Sequence, residues 1–376
     1  MRLHRDLPTL ALFAGLLTTT PTTAQDITWA LRAPANVPQA RIQHVMCYDS
    51  VRQRVLMYGG YGGAGLSDTW EWDGSNWLLR SNLSAPQIRR WSTMNFDASR
   101  GVAVLFGGQS NSGSHPNDTW EWNGTSWSSI PTTNAPSPRA FHAMCYDSQR
   151  QRIVLFGGRD RQTLSSAILN DLWEYDGIDW TQRNIPNQPP GRVEHTMVYD
   201  PVRGRAVVWN GRITNTTYAN DLWEFDGNAW HQMSPSTMPP HGIGTYQSAA
   251  FDASRGAIVA FDGYSQTTGY LNATWAWDGT DWTQLTVGMS PAARGFATLA
   301  YDEARQSLVA FGGGTVQGSR NETYTSFYPA AASTFGNGCG SPALALSPDP
   351  AGRPILGQSG RLTIDNVPGP IVAVAA

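Results

Sequence analysis

Short apolar runs closed by glycine recur along the chain. Val55–Tyr58, Ile153–Phe156 and Ala206–Trp209 are three of them. Such a run is apolar on both faces, and that pattern predicts a strand buried on both sides. Each run follows a segment with a different rhythm. In "HVMCYD", Met46 and Tyr48 share one face and the smaller Val45 and Cys47 share the other. Each run precedes a third pattern. "TWEW" at residues 69–72 alternates large aromatics with one polar position, as a half-buried strand does. The Asp-Gly of "DGSNW" and "DGIDW" then turns the chain back, because glycine accepts positive φ. The unit is four antiparallel strands, which we letter a to d.

Six copies align. Asp49, Asp97, Asp147, Asp200, Asp252 and Asp302 mark the a–b turns, with an aromatic one residue before each and arginine three residues after. The Asp caps the turn and pairs with the Arg, so this set is structural. Gly-Gly closes strand b at 59–60, 107–108, 157–158 and 312–313, and Asn210-Gly211 and Asp262-Gly263 replace it in two copies. A repeat of about 50 residues signals a solenoid or a propeller. One four-stranded unit cannot bury its two faces alone, so neighbours must stack on it. The sixth c strand is "ETYTS" at 322–326, but Trp-bearing d strands follow only the first five, at Trp77, Trp127, Trp180, Trp230 and Trp282. The missing one stands at the front, where "DITWALRAPANVPQAR" matches "SNWLLRSNLSAPQIRR". Ile27–Ala30 therefore completes the last blade and closes the ring, which protects the free sheet edges.

The Gly-Gly after strand b, with the aromatic and Trp of strands c and d, resembles the kelch-repeat propellers. The resemblance spans residues 25–328 and implies an all-β, six-bladed kelch-type propeller. Four residues separate Tyr175 from Trp180, a shorter c–d hairpin than is usual for that family.

Two segments fall outside the repeats. Residues 1–24 carry Arg2 and Arg5, an apolar run over Leu7–Leu17, and small Thr22 and Ala24 before Gln25. These are the parts of a secretory signal peptide, too short in its apolar run to span a bilayer. They predict a secreted, periplasmic or cell-surface protein. Residues 329–376 form a Gly-rich link and a partial segment, "GRLTIDNV" and "IVAVA", that resembles the opening strands of the accessory β-domains on exported proteins. They are too few for a sandwich of their own.

Composition narrows the function. The formal net charge is −3, and no residue is lysine. No bulk electrostatic case for nucleic acid arises, no other segment suits a membrane span, and a monomer is expected. Three cysteines allow at most one disulfide. Cys47 and Cys145 hold equivalent places in non-adjacent copies, too far apart to bond, and are read as small buried residues. Cys339 has no partner in the repeats.

The a–b and c–d turns are short and uniform, whereas the b–c and d–a loops vary, as at Arg159–Leu169, Arg212–Ala219 and Tyr264–Leu271. Variable loops on a rigid scaffold are where binding sits. Near them, strand a opens on Arg41, Arg89, Arg139, Arg192 and Arg294, and only the fifth copy departs, with Gly244. Ringing the channel mouth, these arginines would hold carboxylates or sulfates by forked hydrogen bonds. The resemblance adds that kelch receptors use arginines at a similar place for acidic ligands. The competing reading has them tie down loop carbonyls. His44, His142 and His195 share a blade-packing face and are read as core residues, since a metal would need their nitrogens within about 2.1 Å of one ion. No cofactor is implied. The expected function is an exported module whose loop face holds a glycan or protein ligand, acidic in the Arg-ring case. The alternative is a carbohydrate-active enzyme. It would use loop carboxylates such as Asp160 or Asp262, or copper in the manner of galactose oxidase, although no Tyr-His dipeptide occurs. Carboxylates about 5–9 Å apart across the mouth would mark the hydrolase.

Overall fold

The computed structural model describes residues 27–80, 85–160, 167–240, 248–265 and 268–328. The chain divides into one unit ending at Pro329 and a second starting at Ala330. Residues 1–24, read above as a signal peptide, Gly244, Cys339 and the whole second unit lie outside the described residues.

Six four-stranded antiparallel sheets form the blades, at residues 45–80, 93–130, 143–183, 196–233, 249–285 and 298–327. Strands a of successive blades touch one another around the ring, so strand a is innermost. Blade 6 is completed from the other end of the chain. Thr28–Arg32 pairs with Thr323–Phe327, and Ile27 bridges to Val287 of blade 5. In two blades the b–c hairpin rises above its neighbours. Arg54–Tyr61 with Gly65–Trp72 does so in blade 1, and Ala257–Ser265 with Gly269–Trp277 in blade 5, each past a bulge. Among the described residues no helix is long and apolar enough to cross a membrane.

The core lies in the seams between blades. The alternation in "HVMCYD" decides which seam each side chain enters. Val45 and Cys47 pack with Met94, Phe96 and Trp122 of blade 2, while Met46 packs with Ala300, Val309 and Phe311 of blade 6. Cys47 and Cys145 are free and buried. The d-strand indoles cross the same seams. Trp77, Trp127 and Trp180 donate to the Thr323, Thr69 and Thr119 hydroxyls of the preceding blade at 2.8–2.9 Å. Where that threonine is replaced by Leu172 or Leu222, the Trp230 and Trp282 indoles have no acceptor.

The turn face is locked by the Asp/Arg set. Arg150 bonds Asp147 at 2.7 Å and Glu174 at 2.6 Å, and its guanidinium lies 5.3 Å from the Phe225 ring of blade 4. Its partner across the seam is the Gly of the next c–d turn. A Cβ on Gly227 would sit 2.5 Å from Arg150 Nε, and φ there is +95°. The repeated Asp-Gly is thus required twice, by the turn and by the arginine stacked on it.

Candidate functional site

The five arginines that open strand a are buried, at 0–2 % exposure. Arg41 reaches Asp68 with both terminal nitrogens at 2.7 Å, and donates to the Gly59 and Gln39 carbonyls. Arg89, Arg139 and Arg192 repeat this fork onto Asp118, Asp171 and Asp221. Arg294 reaches Glu322 at 2.8 Å and the Gly312 carbonyl at 2.9 Å. Every N–H of Arg139 is engaged once Ser137 is included. The guanidinium forks latch strand a to strand c. These contacts tie down loop carbonyls and strand c acids. Each latch aspartate also accepts the indole two residues on, as Asp68 does from Trp70 at 2.7 Å. The "DTW" and "DLW" spelling is therefore one device. Blade 5 lacks both halves, with Gly244 and Ala273 in the two places.

The side chains that do surround the mouth come two residues after each latch arginine. They are Gln43, Trp91, Phe141, Glu194 and Phe296. All five have φ between 55° and 63°, a conformation that non-glycine residues rarely adopt. Their backbones link blade to blade. Gln43 N–H donates to Phe296 C=O, Trp91 to Gln43, Phe141 to Trp91 and Glu194 to Phe141, at 3.1–3.4 Å. This strained arc is over-determined by the ring around it, which is how such conformations persist at functional sites. Trp91 and Phe141 pack with centroids 4.5 Å apart and their planes tilted by 34°. Arg90 lies 4.5 Å over Trp91 and 5.2 Å over Tyr61, and bonds Gln109 at 3.1 Å. On the blade 5–6 side, Tyr264 packs on Phe296 and Tyr270, with centroids 6.1 and 5.2 Å away. Glu194 accepts from Arg212 Nε at 2.6 Å and pairs a second time with its Nη2. Sequence reasoning stopped at the arginines and missed this column. Its residue types, Gln, Trp, Phe, Glu, Tyr and Phe in six copies, vary no more than those on either side, so no sequence signal singled it out.

Beneath the mouth a cavity of about 20 Å³ is lined by Gln43, Trp91, Phe141, Glu194 and, deeper, His44, His142 and His195. Further in, strand a of all six blades lines a channel of about 210 Å³ walled by methionines and aromatic rings, in which Asn95 bonds the Met144 carbonyl at 3.0 Å.

The KLHDC2/KLHL20/DRC7 Kelch-repeats domain matches residues 19–186 and again 98–242, together more than half the chain. The chain belongs to the kelch-repeat family. The solved structure titled "Structure of YjhT" is similar to this kelch propeller at TM-score 0.58 and 16 % identity, over 78 % of this chain and 95 % of that one. No curated protein sequence matches.

The remaining polar residues of the kelch propeller sort by seam. His44 and His142 bond the Thr298 and Thr93 hydroxyls of the preceding blade, both at 2.7 Å, and lie edge-on to Phe311 and Phe106. His195 lies likewise against Phe156. Among the described residues no group of three or more His, Cys, Asp or Glu could hold a metal ion. Where Ala297 replaces the histidine, Asp262 replaces the facing glycine and fills the space. It is 0 % exposed with φ 59°, beside Ser248 and Arg294, and burial pushes its carboxyl well above the usual range. Asp160 is also buried. Neither carboxylate lines the mouth cavity, where Glu194 is the one acid, and Arg212 covers it.

Burial, helped by Arg41, pulls the His44 imidazole down to about 3, and burial also holds His142 and His195 well below the ordinary value. The native state therefore stays unprotonated where the unfolded chain takes up protons below pH 6.5. Stability falls as pH drops through that value, and His44 alone accounts for a loss of about 2 kcal/mol at pH 5. Urea unfolding at pH 7 and pH 5 measures this, and equal midpoints would contradict it. A second loss follows at lower pH. Burial opposes ionisation of Asp68, Asp118, Asp171 and Asp221, but the arginine forks and indoles outweigh it and hold all four carboxyls below 3.8. Their contribution is complete above that value and disappears as pH falls through the lower native one.

Proposed function

We propose that this propeller is an exported, monomeric binding module that holds a glycan at its loop-face mouth. The observation that carries the reading is the column at Gln43, Trp91, Phe141, Glu194 and Phe296. An amide, a carboxylate and three aromatic rings stand at equivalent places on a strained, hydrogen-bonded backbone. Rigid aromatic faces supply large contact area at little entropic cost. The saturated latches argue against an acidic ligand held by the arginine ring. The single covered carboxylate favours binding over hydrolysis, which needs two acids. Export rests on the leader at residues 1–24. Trp91→Ala, with Trp91 half-buried at the surface, is expected to weaken binding of the best ligand from a glycan panel at least tenfold by calorimetry, with the melting temperature nearly unchanged. Unaltered affinity in both Trp91→Ala and Tyr264→Ala would place the ligand elsewhere.

A further inference from the structure

One of the three seam histidines that line the pit under the mouth differs from the other two. Two of them bond a hydroxyl of the blade before: His142 bonds Thr93, and His44 bonds Thr298. At the seam of blades 3 and 4 the corresponding residue is Ala143. His195 is 2 % exposed; its ring meets the Phe156 backbone as the other two histidines meet theirs, but its Nε2 has no hydrogen-bond partner. Gln43 Oε1 and Trp91 Nε1 are also buried without partners, and all three residues line the same cavity. Buried polar atoms are nearly always satisfied, and a cluster of exceptions points to a missing group. About 20 Å³ admits one water-sized group.

The chemistry of that group follows from the atoms that face it. With its N–H turned to the Phe156 backbone, the neutral imidazole offers the pit one lone pair, the indole offers one N–H, and the amide oxygen offers lone pairs. A hydroxyl accepts from the indole and donates to one of the two acceptors, so it suits the mixed character of this set. A carboxylate only accepts and would face the lone pairs of Gln43 and His195 unpaired. Building on the proposed glycan reading, we infer that the pit takes one hydroxyl of a neutral sugar whose ring lies against Trp91 and Phe141. Burial keeps His195 in the neutral form that the match requires. The tilted Trp91–Phe141 pair at 4.5 Å supplies apolar ring surface at the rim, and this favours a sugar over the isolated hydroxyl of a serine or threonine peptide.

Ala143→Thr tests this with the repeat's own solution. It places a hydroxyl where Thr93 and Thr298 carry theirs, fills the pit and pairs with His195. The variant is expected to melt at or above the wild-type temperature. The full chain would be titrated with cellobiose, lactose and maltose, with digalacturonate, and with a Ser/Thr-rich peptide. At least one neutral disaccharide is expected to bind, more tightly than digalacturonate, and Ala143→Thr is expected to weaken it tenfold or more. If Trp91→Ala abolishes that binding while Ala143→Thr leaves it unchanged, the pit holds only water and this inference falls while the loop-face reading stands. If neither variant matters, the loop-face reading falls as well. Preference for digalacturonate or the peptide, or no binding of any neutral disaccharide, overturns the inference. Should Ala143→Thr misfold, Ala143→Ser supplies the hydroxyl in less volume and is judged by the same outcomes.

Discussion

Deletion of residues 25–32 leaves a chain that does not reach the native propeller. The strand Thr28–Arg32 is the fourth strand of blade 6 and pairs along its whole length with Thr323–Phe327. Ile27 and Trp29 are 0 and 1 % exposed, in one cluster with Val259, Phe261, Leu299 and Leu308 of blades 5 and 6. Truncating one buried tryptophan alone costs about 3–5 kcal/mol, and native domains retain only about 5–15 kcal/mol in total. The deletion also removes the isoleucine and bares the edge of Thr323–Phe327, a template for pairing with other chains. The truncated chain is expected to be recovered as aggregate or as a protease-sensitive form, and a synthetic peptide of residues 25–34 added during refolding is expected to restore a resistant monomer. A soluble truncated chain with the wild-type melting temperature would show that the closing strand is dispensable.

Asp171→Ala is expected to destabilise the propeller by about 3–5 kcal/mol, because it strands the buried charge of Arg139. The double variant Arg139→Ala/Asp171→Ala is expected to be the more stable of the two. The molecule already contains that comparison. Blade 5 carries Gly244 and Ala273 where its neighbours carry the arginine and the acid, so both partners are absent together. Urea unfolding of the two single variants and the double gives a coupling energy. Residues in one ion pair usually show about 0.5–3 kcal/mol, and the full desolvation of Arg139 places this pair at the upper end. Additive costs would mean that the fork contributes nothing beyond packing.

The frame of the fold was legible because its signals are local and six times repeated. Asp-Gly turns, solid b strands and the orphan d strand at the front each reflect one backbone requirement. The mouth was less legible for a physical reason. Arg41 and Asp68 are 27 positions apart, and only the pairing of strands b and c brings the acid beside the arginine. Read separately, the arginine looks like a ligand contact and the "DTW" like strand filler. The positive φ of Gln43, Trp91, Phe141, Glu194 and Phe296 leaves no mark in residue type, since glycine is absent from all five. The exchange of the histidine–glycine pair for Ala297 with Asp262 was visible only as an irregularity at Asp262. Its meaning as a space-filling swap needed the seam.

The arc of backbone hydrogen bonds from Phe296 to Glu194 separates holding from reading. Main-chain atoms, which every residue type shares, fix where these five blades present their mouth side chains, so the identity of each side chain is left to vary. A lineage could change what it recognises one blade at a time, with each exchange made at a position whose geometry the others maintain. The propeller would then work as an alphabet of single-residue slots on a fixed wheel, and new specificities could be assembled by respelling the column without redesigning the fold.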